Sequence, residues 1–141
     1  NSGLKVHCHS WSQNINHNTD IYLVDTYGDT NLFFSFNKIV FVGGSIIKHG
    51  GQNPLEPARY GNNIIHGPNV INFKEIYELL KKLGISKKVN SIKSLTKTVN
   101  KLIKQKPNSS LLTKKIEQIG SQILDATLIE IKLILKNNEI K

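Results

Sequence analysis

The sequence predicts an α/β fold: a parallel sheet flanked by helices, continued by a helical C-terminal extension. Two observations lead there. Short β-branched or apolar runs alternate with helix-period segments over the first half of the chain, and that alternation lays strands side by side in one direction under a cover of helices. From Asn72 onward the apolar residues recur only at helical spacing. We therefore divide the chain into a sheet-containing core, 1–84, and a helical remainder of the same domain, 85–141.

Residues 4–6 and 21–24 are short apolar runs bounded by polar and turn residues, so each reads as a strand, with the polar stretch 10–20 as a loop between them. In residues 28–37, Leu32, Phe33 and Phe36 stand at helical spacing. The apolar run 39–42 is the next strand. Asn53-Pro54-Leu55-Glu56 opens a helix that Gly61 closes, and Ile64-Ile65 forms a strand before Gly67-Pro68 turns the chain. Asn72 with Glu75 reads as a capping box for a helix whose apolar stripe is Phe73, Ile76, Tyr77, Leu80 and Leu83, ended by Gly84. A second stripe, Ile92, Leu95, Val99 and Leu102, is broken by Lys106-Pro107-Asn108. Leu112, Ile116, Ile119 and Ile123, then Leu128, Ile131 and Leu135, give one or two further helices.

A chain of 141 residues with 38% apolar content supports one domain with its own core. The single cysteine, Cys8, excludes an internal disulfide. No apolar run approaches the roughly 20 residues of a spanning helix, and no signal peptide opens the sequence. The chain begins within what reads as the middle of a fold and contains no Met, so we expect the C-terminal piece of something longer. The net charge of +9 lies wholly in the second half: residues 1–71 hold four basic and four acidic side chains, residues 72–141 fifteen and six. Lysines without interleaved aromatics argue against nucleic acid. They suit a solvated helical face, or one that approaches an anionic membrane surface.

The chemistry concentrates in FVGGSIIKHGGQNPLEPARYGNNIIHGP, residues 41–68. Gly43-Gly44-Ser45 follows a strand, where glycines reach conformations closed to other residues and present successive N–H groups to an anion. A helix starting at Pro54 offers further N–H groups and a partial positive charge to a phosphate, and a carboxylate such as Glu56 can accept from two ribose hydroxyls. Structural roles compete. Asn53 serves equally as a helix cap with Glu56 folding back onto it, Gly43 and Gly44 as close-packing residues, and His49 as an exposed loop residue. His7-Cys8-His9 suggests a metal site, but on a strand the two imidazoles face one side and the thiol the other, so we expect no metal.

The segment resembles the signature of the 3-deoxy-D-manno-octulosonic acid (Kdo) transferases, in which GGS, HGGHNPLEP, GP and NF follow one another. Here these are Gly43-Gly44-Ser45, His49 to Pro57, Gly67-Pro68 and Asn72-Phe73, and the upstream DTYGDTNLFF is similar to that family's DTMGELGLLY. The resemblance implies the second, Rossmann-like half of a GT-B glycosyltransferase, with residues 1–84 as its nucleotide-binding core and the N-terminal acceptor domain absent. It implies a donor, CMP-Kdo, held by Tyr27, Gly28 and Asp29 together with Asn53, Pro54, Leu55 and Glu56, to which the anion-binding turn of Gly43, Gly44 and Ser45 is added on the grounds given above. Asp29 has a rival role as the cap of the following helix. The resemblance further implies a lipid A precursor as acceptor, reached through the missing half, with peripheral attachment at the cytoplasmic face of the bacterial inner membrane. No catalytic residue, metal or cofactor beyond the donor is expected in this chain, since the family's general base, a Glu, lies in the other domain. The sequence departs from the family pattern at His9, where Arg usually precedes Ser10, at Asp29, usually Glu, and at Gln52, usually His.

Overall fold

The computed structural model describes residues 3–12, 14, 17–105 and 109–138, in two compact units, Asn1–Phe36 and Asn37–Lys141. In the first unit, β1 (Val6–Cys8) and β2 (Ile21–Leu23) pair in parallel with His7 opposite Tyr22, and α1 (Thr30–Phe36) follows. Strand β1 starts two residues later than residues 4–6 suggested. The reason is cross-strand: the His7 ring stacks on Tyr22 with centroids 5.6 Å apart and planes 13° from parallel, so polar residues gain pairing contacts that an apolar pattern does not reveal.

The second unit is built on a three-stranded parallel sheet, β3 (Ile39–Val42), β4 (Asn63–His66) and β5 (Ser86–Lys88), with β4 in the centre. Val40 stands opposite Ile64, and Ile64 opposite Ser86. Alternation along the strands sends side chains to two cores. On one face Val42 and Ile64 meet Ala58 of α2 (Leu55–Arg59), Tyr77 and Leu80 of α3 (Lys74–Lys82), Ile85, and Leu112 of α5 (Ser109–Asn138). On the other, Ile65 and Val89 meet Leu102 of α4 (Ile92–Ile103), with Ile39, Leu95 and Val99 at the margin. Ile64, Ile65, Leu80 and Ile85 are essentially inaccessible, each contributing about 1.5–3 kcal/mol by removal from water. The sheet is thus covered on both sides, as the parallel topology requires.

The structure corrects the sequence reading at two places. Residues 86–88 form β5, which sequence reasoning missed because Ser-Lys-Lys has no strand signature; pairing with β4 and burial of Ser86 make the strand. The capping box at Asn72 and Glu75 is not formed. A 3₁₀ turn, Ile71–Phe73, precedes α3, and the Asn72 amide donates to the His49 carbonyl at 3.4 Å instead. The reciprocal cap belongs to α4, where the Ser94 N–H donates to the Ser91 hydroxyl at 3.2 Å and the Ser91 N–H to the Ser94 hydroxyl at 3.1 Å. Of the one or two helices expected after that, the structure has one, α5, continuous over 30 residues. The expected break at Lys106-Pro107-Asn108 lies outside the described residues. Among the described residues no helix is long and apolar enough to cross a membrane.

Candidate functional site

Because β3, β4 and β5 run parallel, the segments that follow β3 and β4 leave from the same edge of the sheet, beyond the strands' carboxyl ends. Ser45 staples these two segments together. Its hydroxyl donates to the Val42 carbonyl at 2.6 Å and accepts from the Gly67 N–H at 2.8 Å, while its carbonyl accepts from the Asn69 N–H at 2.9 Å. The approach is so close that a Cβ on Gly67 would lie 2.6 Å from the Ser45 carbonyl carbon, so only glycine fits there.

The two glycine turns touch. The Gly51 N–H donates to the Gly44 carbonyl at 3.1 Å, with Gly44 at φ 66°, Gly50 at φ 93° and Gly51 at φ 77°. Positive φ at consecutive residues reverses the chain over one residue pair, which side-chain-bearing residues resist. Two outside contacts hold this loop: the Asn72 N–H donates to the Gly50 carbonyl at 3.1 Å, and the Tyr77 hydroxyl donates to the Gln52 carbonyl at 3.0 Å. Immediately beyond, the Asn53 side chain accepts from the Leu55 N–H at 3.0 Å in a local turn; α2 begins at Leu55 rather than Pro54, with the buried Pro54 at its N-cap and no side-chain cap, and Glu56 stands exposed on its first turn.

Seven of the ten residues expected at the nucleotide therefore occupy one continuous stretch of the second unit. Gly43 is exposed and a Cβ there would meet nothing within 4 Å, so packing does not require a glycine at that position. The Ser45 hydroxyl and carbonyl are both committed to the staple, and the residue is fully buried. The other three residues, Tyr27, Gly28 and Asp29, belong to the first unit. Tyr27 is fully exposed, and Gly28 takes φ 93°. The Asp29 carboxylate accepts from the Thr26 hydroxyl and lies 3.7 Å from His9 Nε2, while His9 Nδ1 sits 2.7 Å from the Tyr22 hydroxyl. The Ser10 hydroxyl and N–H both donate to Asp25, at 2.6 and 3.0 Å, and hold that carboxyl below its usual range. His7 and His9 both engage Tyr22 whereas Cys8 is buried, and among the described residues no cluster of three His, Cys, Asp or Glu could hold a metal ion.

Beside the glycine turns lies a groove of about 790 Å³ that sequence reasoning did not find. Its walls are Lys48 and His49 from the loop after β3, the turn after β4, and the face of α3 bearing Lys74, Glu78 and Lys81; Lys88 closes one end. His66 and Tyr77 form its buried base, ring centroids 4.3 Å apart. Burial, with the nearby Lys88 charge adding to it, lowers the His66 pKa although a 2.7 Å contact to the Gly67 carbonyl works the other way. Burial pushes the Tyr77 hydroxyl up to about 12. None of the ten residues expected at the nucleotide lines this groove; the lysines arrive from three separate elements, so no local motif announces them.

Comparison with known proteins gives a consistent direction. No protein-family profile matches the chain. The 3-deoxy-D-manno-octulosonic acid transferase of Haemophilus influenzae is 38% identical over 98 residues, covering 69% of this chain and 23% of that protein. The enzyme of the same name from Rickettsia prowazekii is 35% identical over 124 residues, covering 84% and 27%. This chain thus spans about a quarter of the length of these relatives. Among solved structures, the C-terminal CMP-Kdo binding domain of WaaA from Acinetobacter baumannii matches with a TM-score of 0.72 at 24% identity, over 82% of this chain and 61% of that one. The fold, parallel strands flanked by helices, is the fold of that domain.

Proposed function

Since this chain is a homologue of the 3-deoxy-D-manno-octulosonic acid transferases over the matched segment, we propose that it is the donor-binding part of such an enzyme and binds CMP-Kdo. The observation that carries the reading is the joined pair of glycine turns at the carboxyl edge of the parallel sheet, running directly into Asn53-Pro54-Leu55-Glu56. Ligands of open α/β sheets sit beyond the strand ends, and turns with positive φ there present main-chain N–H groups. In the proposed complex, the Gly43-Gly44 turn faces the phosphate, the main chain of 53–56 contacts CMP, and the exposed Glu56 carboxylate accepts from the ribose hydroxyls. Tyr27, Gly28 and Asp29, of the first unit, are proposed as nucleotide-contacting residues as well.

The reaction proposed for the whole enzyme is attack of an acceptor hydroxyl on the anomeric carbon of Kdo. The C–O bond to CMP breaks with inversion, the bonding pair leaves on the phosphate, and the hydroxyl proton passes to a general base. Fixed N–H donors facing the leaving phosphate stabilise charge that grows in the transition state. The base is proposed to come from a segment with no counterpart in these 141 residues, so the chain alone is expected to bind donor without transferring sugar. A lipid A precursor as acceptor, a place in lipopolysaccharide synthesis, peripheral attachment at the cytoplasmic face of the inner membrane, and independence from any resident cofactor belong to the same proposal. Calorimetric titration with CMP and with UDP tests it. Preference for CMP supports the reading, and preference for UDP points to a related sugar-nucleotide enzyme.

A further inference from the structure

We propose that the lysine-lined groove between α3 and the glycine turns is a second anion site, one that binds a phosphate-bearing ligand independently of the nucleotide. The inference goes beyond the proposed donor site, since none of the ten residues assigned to CMP-Kdo lines this groove. Three observations converge. The volume, about 790 Å³, falls within the size range of small-molecule sites. Four cations, Lys48, Lys74, Lys81 and Lys88, line it against one carboxylate, Glu78, and among the described residues none of the four is held in an ion pair. They come from the loop after β3, from one face of α3 at a spacing of seven residues, and from the end of β5, so the fold gathers charges that the sequence keeps apart.

A solvated lysine face is convex, and its charges spread apart into water. Here the exposed charges converge on one concavity that is also lined by two buried rings, so their fields add over a common space. Lysine ammonium groups suit a phosphate as point charges without demanding one fixed geometry. Two side-chain hydrogen bonds tie the walls together: the Asn69 amide donates to the Ile46 carbonyl at 2.8 Å, and the Asn72 amide to the His49 carbonyl. A protonated His66 would add a further charge to the base, so bound anion and His66 protonation favour each other. The phosphate could belong to a small soluble ligand or to a lipid head group, and the two are separable.

The test uses the full 141-residue chain, the double variant Lys74→Gln/Lys81→Gln, and the control Lys97→Gln/Lys101→Gln, whose lysines are exposed on α4 away from the groove. All four side chains are exposed, and equal far-ultraviolet dichroism confirms that each variant folds. Inorganic pyrophosphate is titrated by calorimetry. Sedimentation with phosphatidylcholine vesicles, with and without phosphatidylglycerol, is run in parallel at fixed ionic strength. Loss of pyrophosphate affinity by about tenfold or more in the groove variant alone supports a soluble ligand. The same selective loss for phosphatidylglycerol vesicles, without one for pyrophosphate, supports a head group. Equal behaviour of the two variants with both probes, or no binding of either probe by the wild type, overturns the proposal. A CMP titration of the same proteins keeps the two readings apart, since groove binding without CMP binding removes the donor reading and leaves this one standing.

Discussion

The Gly51 N–H reaches the Gly44 carbonyl at 3.1 Å, tying together two glycine turns that are seven residues apart in the chain. This single bond makes one compact lip of what would otherwise be two loops, and it sets where the segment leading to Glu56 begins. The loop's identity therefore resides in its backbone, and substitutions that add a side chain should separate its members sharply.

Gly50→Ala is expected to destabilise the chain by about 1–3 kcal/mol, because φ 93° disfavours a Cβ and the new atom would overlap the Asn72 amide group. Gly43→Ala is expected to change stability by less than about 0.5 kcal/mol, since a Cβ there meets nothing. Urea unfolding of the two variants checks the contrast, and equal losses would show that the turns are not held as described.

Tyr77→Phe removes the donor that holds the Gln52 carbonyl while leaving the ring in the core. The expected loss is about 1–2 kcal/mol, with hydrogen exchange accelerating at 50–53 more than in the sheet. A loss spread evenly over the sheet would assign Tyr77 a packing role alone.

His66 should make stability depend on pH. Its folded pKa lies below the ordinary 6.5, so over the interval between the two values the unfolded chain binds more protons. The stabilisation is complete above 6.5 and is lost as pH falls through that value toward the depressed one. A melting temperature that drops on acidification below 6.5, and drops less in His66→Gln, is the expected outcome. Proton resonances of the His66 ring titrating at or above 6.5 would contradict it.

Glu56→Gln keeps the shape of an exposed side chain and removes the charge proposed for the ribose hydroxyls. Hydrogen bonds to a charged group contribute about 1.5–3 kcal/mol, so CMP affinity should fall roughly 10- to 100-fold with the melting temperature unchanged. Equal affinity for CMP in the two proteins would remove Glu56 from the site.

How far the sequence revealed this molecule depended on whether a feature was local. Gly50, Gly51 and Gly67 announce special backbone by their identity, and the structure uses all three for that purpose. The stripe of α3, with Tyr77 and Leu80 buried, is likewise a local periodicity. Strand β5 was illegible because Ser-Lys-Lys becomes a strand only through its neighbour β4. Asn72 was misread as a cap because its amide serves a carbonyl 23 residues earlier. The groove stayed hidden for the same reason, since Lys48, Lys74 and Lys88 become neighbours only after folding.

Backbone amide NMR during titration with CMP to millimolar concentration tests the donor site most directly. The expected result is a saturable shift of the Gly43, Gly44 and Ser45 amides together with those of Asn53, Leu55 and Glu56, while the helical amides of α4 stay fixed. Shifts confined to other regions, or none at any of these six amides, would contradict the assignment of this loop to the nucleotide.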